Sequence, residues 1–110
     1  MNQAPAEYLQ GTLDLLILRT LAMAPNHGWA VAKHIQATSK DLLQVNQGSL
    51  YPALQRLELK GFIRSEWRRT EENRRAKYYE LTPLGRERVE RETAQWRAFA
   101  GAVEMILQGR

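Results

Sequence analysis

The sequence contains no cysteine, which removes disulfide frameworks, thiolate metal sites and cysteine nucleophiles together. Imidazole is nearly as scarce: His27 and His34 stand seven residues apart, a spacing that matches no recognised metal motif. No glycine-rich phosphate loop and no Gly-x-Ser-x-Gly elbow occurs. Acidic side chains are scattered over charged stretches rather than set in pairs beside apolar ones, so general acid-base chemistry has no obvious seat. These absences predict a protein that is not an enzyme and that takes no metal or cofactor. Long apolar runs are also missing. The longest, Leu13 to Ala24, is interrupted by Asp14 and Arg19 and falls short of the roughly 20 residues a membrane span needs. The first ten residues lack the basic start of an export signal, so the expected location is the cytoplasm, with no membrane partner.

What is present is basic. Sixteen Lys and Arg against 12 Asp and Glu give a net charge of +4, which favours an anionic partner such as nucleic acid or an acidic protein surface. At 110 residues the chain can bury one modest core. From Thr12 to Ala22 apolar residues fall almost all round a helical wheel, the mark of a helix buried on most sides. Asn26 is the expected cap of a second helix ending near Thr38, its period of 3.6 set by Trp29, Ala32 and Ile35 with Val31 beside them, and His27 is the expected hydrogen-bonding group at its start. Leu42 to Val45 reads as a stub of strand.

A third helix is expected from Leu50 to Lys60, capped within Gly48 to Ser49 so that Pro52 lies in or just past the first turn, and ended by Gly61. Leu50, Ala53, Leu54 and Leu57 share one side of it, leaving Ser49, Tyr51, Pro52, Gln55, Arg56 and Lys60 facing out. Leu59 points away from the apolar stripe and has no evident partner. From Phe62 the period changes to two, and a second strand, Ala76 to Thr82, should return as a hairpin across the polar connection Thr70 to Arg75. Residues 64–79 hold six cations and three anions, a local +3. Thr82 and Pro83 then open a last helix running to about Leu107.

The order α, α, short strand, α, β, β, α predicts an α+β fold, mainly α with a small β-hairpin: a winged helix-turn-helix domain (residues 11–82) after an N-terminal arm (1–10) and before a C-terminal dimerisation helix (83–110). A helix presented beside a basic hairpin suits the DNA major groove, with the hairpin over the phosphates. Gln55 can pair bidentately with adenine and Arg56 with guanine, Ser49 and Tyr51 can donate to phosphate, and Lys60 adds a mobile charge. Arg74, Arg75 and Lys77 would displace counterions near the hairpin tip, although Glu71 and Glu72 beside them repel phosphate unless turned away. In the last helix Val89, Thr93, Trp96, Ala100, Val103 and Leu107 recur at seam spacing, widened by Phe99 and Ile106, which calls for a second chain, with folding back on the chain's own first helix as the alternative cover. An acidic partner protein would suit the same basic face, so a winged-helix protein-interaction module is the alternative.

Four segments resemble the PadR family of bacterial transcriptional regulators: Asn26 to Ile35, Gly48 to Ile63, Arg74 to Gly85 and Ala94 to Leu107. The resemblance covers roughly Leu9 to Leu107, and the length fits the subgroup with a single C-terminal helix. It implies a cytoplasmic homodimer on a pseudo-palindromic operator in double-stranded DNA, acting as a repressor. By position it points to Ser49, Tyr51, Pro52 and Gln55 in the recognition helix and to Arg74, Arg75 and Lys77 in the wing. It also places Trp96 where short-subgroup members hold small, flat aromatic effectors, alongside its packing role. Leu59, where a charge is more usual, and Trp29, where tyrosine is common, depart from the pattern.

Overall fold

The structure, a computed structural model, describes residues 11–109, so the expected N-terminal arm lies outside the described residues. Its elements are α1 (Leu13–Met23), β1 (Asn26–His27), α2 (Gly28–Thr38), α3 (Gln47–Leu59), β2 (Ile63–Arg69), β3 (Arg75–Leu81) and α4 (Pro83–Leu107). The strands form an antiparallel sheet in the order β1-β3-β2, and the α+β class matches the expectation. α1 is the centre of the core: Ile17, Leu18 and Leu21 are buried against Val31 and Ile35 of α2, the inner stripe of α3, Ile63, Tyr79 and Leu81 of the sheet, and Val89 of α4. Each large aliphatic side chain so buried contributes about 1.5–3 kcal/mol, which is why the stripe of α3 has only one orientation open to it.

Two local expectations need correction. The short strand is not Leu42 to Val45 but Asn26–His27, which pairs with Tyr79 and Tyr78 of β3. Residues 42–45 form a loop because Lys40 and Asp41 both take left-handed backbone angles and the Ser39 hydroxyl accepts from Leu43 N–H at 3.0 Å. Consequently Asn26 does not cap α2. His27 does, its Nδ1 accepting from Ala30 N–H at 3.3 Å, while Asn26 Oδ1 accepts from the His27 N–H.

The start of α3 is the second correction. Asn46 caps it, Oδ1 accepting from Ser49 N–H at 2.9 Å, so the helix begins at Gln47 and Pro52 lies inside it. Lacking an N–H, Pro52 cannot bond the Gly48 carbonyl one turn back. At the far end Phe62 N–H bonds Leu57 O and Gly61 N–H bonds Glu58 O, both at 3.0 Å, with Gly61 at φ 82. This is the paired closure that a left-handed residue makes possible.

The root of the hairpin is tied to the helices by a small backbone knot. Thr82 Oγ1 donates to Gly61 O at 2.6 Å and accepts from Gly85 N–H at 3.1 Å, and Thr82 N–H bonds Phe62 O. At Gly85 a Cβ would stand 2.0 Å from Phe62 O, so only glycine lets α4 start this close to the end of α3. The hairpin thereby leaves the core at a fixed angle beside α3.

Candidate nucleic-acid interface

Burial of Leu50, Ala53, Leu54 and Leu57 turns the opposite side of α3 outward, and Ser49, Tyr51, Pro52, Gln55, Arg56 and Lys60 are all exposed. They are not equally free. The Tyr51 ring lies against Gly28 at the start of α2, where a Cβ would sit 3.1 Å from its Cε1. Arg56 reaches back to Asp14 of α1, Nη2 to Oδ1 2.8 Å, a pairing across 42 residues that holds its guanidinium away from the helix axis. Such an exposed pair contributes about 0.2–1 kcal/mol, little enough to be exchanged for another acceptor. Lys60 caps the helix C-terminus and Leu59 stands almost wholly in solvent.

Glu58 joins this helix to the wing. Its carboxylate accepts from Ser65 Oγ at 2.6 Å and lies 4.0 Å from Lys77 Nζ. The register Ile63–Leu81, Ser65–Tyr79, Trp67–Lys77, Arg69–Arg75 puts these four pairs on one face of the hairpin. Near the root that face is core; beyond it, the same face becomes Trp67, Lys77, Arg69 and Arg75. Burial pushes the Tyr79 phenol above its ordinary value, helped by the nearby Glu58 charge and by Tyr51. The other face alternates charge, with Arg64 Nε 2.7 Å from Glu80 Oε1 and Arg68 paired to Glu66. The Arg64 hydrogen bond and charge hold the Glu80 carboxyl below the usual carboxylate range.

At the tip, Thr70 N–H bonds Arg74 O at 2.7 Å and Asn73 N–H bonds Thr70 O, with Asn73 in the left-handed region. The tip arginines differ in restraint. Arg69 Nη1 donates to Asn73 O and Oδ1 at 3.3 Å, and Arg75 lies over the Trp67 ring with its Cζ 4.9 Å from the centroid. Arg74 has no side-chain partner among the described residues. Glu71 and Glu72 are exposed in the same turn.

Sequence reasoning passed over a run of surface rings. Lys33 lies over Trp29, which stacks with His27, which meets Tyr78 edge-on, which carries Arg68. Only the two-residue pairing of β1 with β3 brings these together, and nothing in their spacing announces it.

α4 divides into two parts. Val89 is buried in the chain's own core, so it drops out of the seam read from sequence; its spacing fitted, but α1 already covers it. Farther on Trp96, Phe99, Val103 and Leu107 are exposed and Ala100 is half-buried. Between α1, Leu42 and Leu43, and this stretch runs a groove of about 890 Å³, walled by Leu15, Leu16, Trp96 and Phe99. Among the described residues, no helix is long and apolar enough to cross a membrane.

Comparison with known proteins follows the same outline. A PadR family transcriptional regulator from Eggerthella lenta is 30 % identical over 96 % of this chain and 89 % of that one, with a TM-score of 0.80. A PadR-like transcriptional regulator from Bacillus cereus is 25 % identical over 94 % and 99 % of the two chains, with a TM-score of 0.82. A 37.1 kDa protein in transposon TN4556 of Streptomyces fradiae is 40 % identical over 82 % of this chain, which spans only 24 % of that protein. Residues 17–91 match the transcriptional regulator PadR-like family. With the match extending from the buried α1 through α3 and the hairpin into α4, the chain belongs to the PadR-like family of transcriptional regulators.

Proposed function

We propose that this DNA-binding regulator works as a homodimeric repressor, with α3 reading base edges in the major groove and the wing gripping the flanking backbone of a pseudo-palindromic operator. The observation that carries this is the junction at Glu58, which holds the exposed side of α3 and the basic face of the hairpin as one surface. On it Gln55 reads a base, Ser49 and Tyr51 donate to phosphates, Pro52 shapes the approach, and Arg56 exchanges Asp14 for DNA. Lys60, Arg74, Arg75 and Lys77 supply the charge.

The dimer reading rests on the exposed apolar run of α4 beyond Val89, where Trp96, Phe99, Val103 and Leu107, with Ala100, would meet a second chain. Two recognition helices would then fall roughly 34–36 Å apart, one turn of DNA, or a multiple of it. Phe99→Asp should lower the solution mass to that of one chain, read by light scattering; a wild type already at that mass would refute the dimer. The groove beside Trp96 also fits a small aromatic effector that releases DNA. Planar aromatic compounds should quench tryptophan fluorescence in the wild type and not at that site in Trp96→Ala.

Site selection from a random duplex library tests the central reading. Gln55→Ala should relax preference at one position per half-site by about 1–3 kcal/mol while leaving the other positions unchanged. Recovery of the same site by both proteins would exclude Gln55 from base reading. Failure of the wild type to retard any duplex at moderate salt would instead favour an acidic protein partner.

A further inference from the structure

Trp67 is 58 % exposed in the middle of β2 and adds nothing to the core. It lies directly across from Lys77 and diagonally from Arg75, on the hairpin face that continues the core outward beside α3. The Arg75 guanidinium sits 4.9 Å from its ring centroid, within the range where a cation is held by the ring's negative face. Arg74, one residue away, has no such restraint among the described residues. The geometry points to Trp67 as a positioning residue for DNA binding: its ring holds the Arg75 guanidinium in place over it, so that the N–H groups meet a DNA acceptor without having to be ordered first. This rests on the DNA-binding reading above and deepens it.

The physical logic is preorganisation. A free arginine loses rotamer freedom when it docks, whereas one already laid on an indole has lost much of it in the unbound protein. Over the ring the Arg75 guanidinium makes no hydrogen bond or ion pair among the described residues, so its N–H groups are open to an acceptor. Those groups suit an anionic or carbonyl-type acceptor, either a phosphate oxygen or the acceptors on the floor of a narrow minor groove.

A double-mutant cycle on the whole chain tests it, with affinity for a selected operator measured at several salt concentrations and each variant's melting temperature recorded. Trp67→Leu keeps apolar bulk without the ring face and should weaken binding about two- to fivefold, the worth of an exposed cation–π interaction. Trp67→Tyr keeps a ring and should recover most of that loss. Combining Trp67→Leu with Arg75→Ala should bind no more weakly than Arg75→Ala alone. If the flattened salt slope of Arg75→Ala is the same for every flanking sequence, the acceptor is phosphate; if its loss shrinks when A·T flanks are changed to G·C, the acceptor is the minor groove. Losses that multiply in the double variant, or no loss in Trp67→Leu while Arg75→Ala weakens binding, would overturn the positioning role and leave DNA binding standing. A wild type that binds no duplex would sink both.

Discussion

The root and the tip of the hairpin are built on opposite terms. At the root, backbone meets backbone: Thr82, Gly61, Phe62 and Gly85 exchange main-chain and hydroxyl hydrogen bonds around buried Ile63 and Leu81. At the tip, the full length of both strands away from that knot, exposed arginines are held by a ring, by a loop carbonyl, or by nothing among the described residues. Buried contacts are concentrated at the root, and exposed charge at the tip. Substitutions at the root should therefore act on melting, and, on the proposed reading of the tip as a DNA contact, substitutions there should act on affinity.

The sharpest break is Gly85→Ala. Its new methyl carbon would stand 2.0 Å from a backbone oxygen that cannot swing aside, so α4 must shift from the end of α3. Overpacking of this kind costs about 3 kcal/mol, and a thermal melt should show it as a drop of many degrees. An unchanged melting temperature would mean the root is softer than its packing implies. Thr82→Ala comes next: it removes the helix cap and the bond to Gly61 O, an expected loss of about 1–2 kcal/mol. Chemical denaturation with an unchanged slope would assign that loss to stability alone.

Much of this contrast was legible before the structure. Thr82 and Pro83 announced the cap, Gly61 the end of α3, and the switch from a period of 3.6 to 2 the hairpin, because each is a local rule of backbone chemistry. What escaped reading was decided by partners far along the chain. Asn26–His27 becomes a strand only because β3 offers it an edge, and two residues carry no period. Pro52 argued for a late helix start, yet the Asn46 cap prevailed and the helix tolerates a proline inside it. Val89 fits a seam by spacing, and spacing does not say whose side chains will cover it. Arg56 looked available until Asp14 was found beside it. Of the candidate interface, the outward direction of the α3 residues was readable; the unequal restraint on its arginines was not.

At the tip the expected pattern reverses. Arg74→Ala should leave stability within about 0.5 kcal/mol, since the side chain touches nothing that holds the fold. The same variant should bind all duplexes more weakly and flatten the log-log salt dependence by about 0.9 for the one phosphate no longer neutralised. Fluorescence anisotropy at four salt concentrations measures both quantities. A melting shift without a change of slope would invert the contrast between root and tip.

The smallest effect lies one residue pair beyond the root, at the Arg64–Glu80 pair on the outer face of the hairpin. Arg64 holds the Glu80 carboxyl below its ordinary value of 4.5, so the folded chain keeps that carboxylate charged more readily than the unfolded chain does. The unfolded state takes up the proton first as pH falls, and the pair's contribution is therefore complete above about 4.5 and is lost as pH drops through the lower folded value. Glu80→Gln should melt slightly below wild type at neutral pH, and the two curves should converge in acid. A difference that persists below that range would show that Glu80 acts there through packing across the strands, as the root beside it does, and not through its charge.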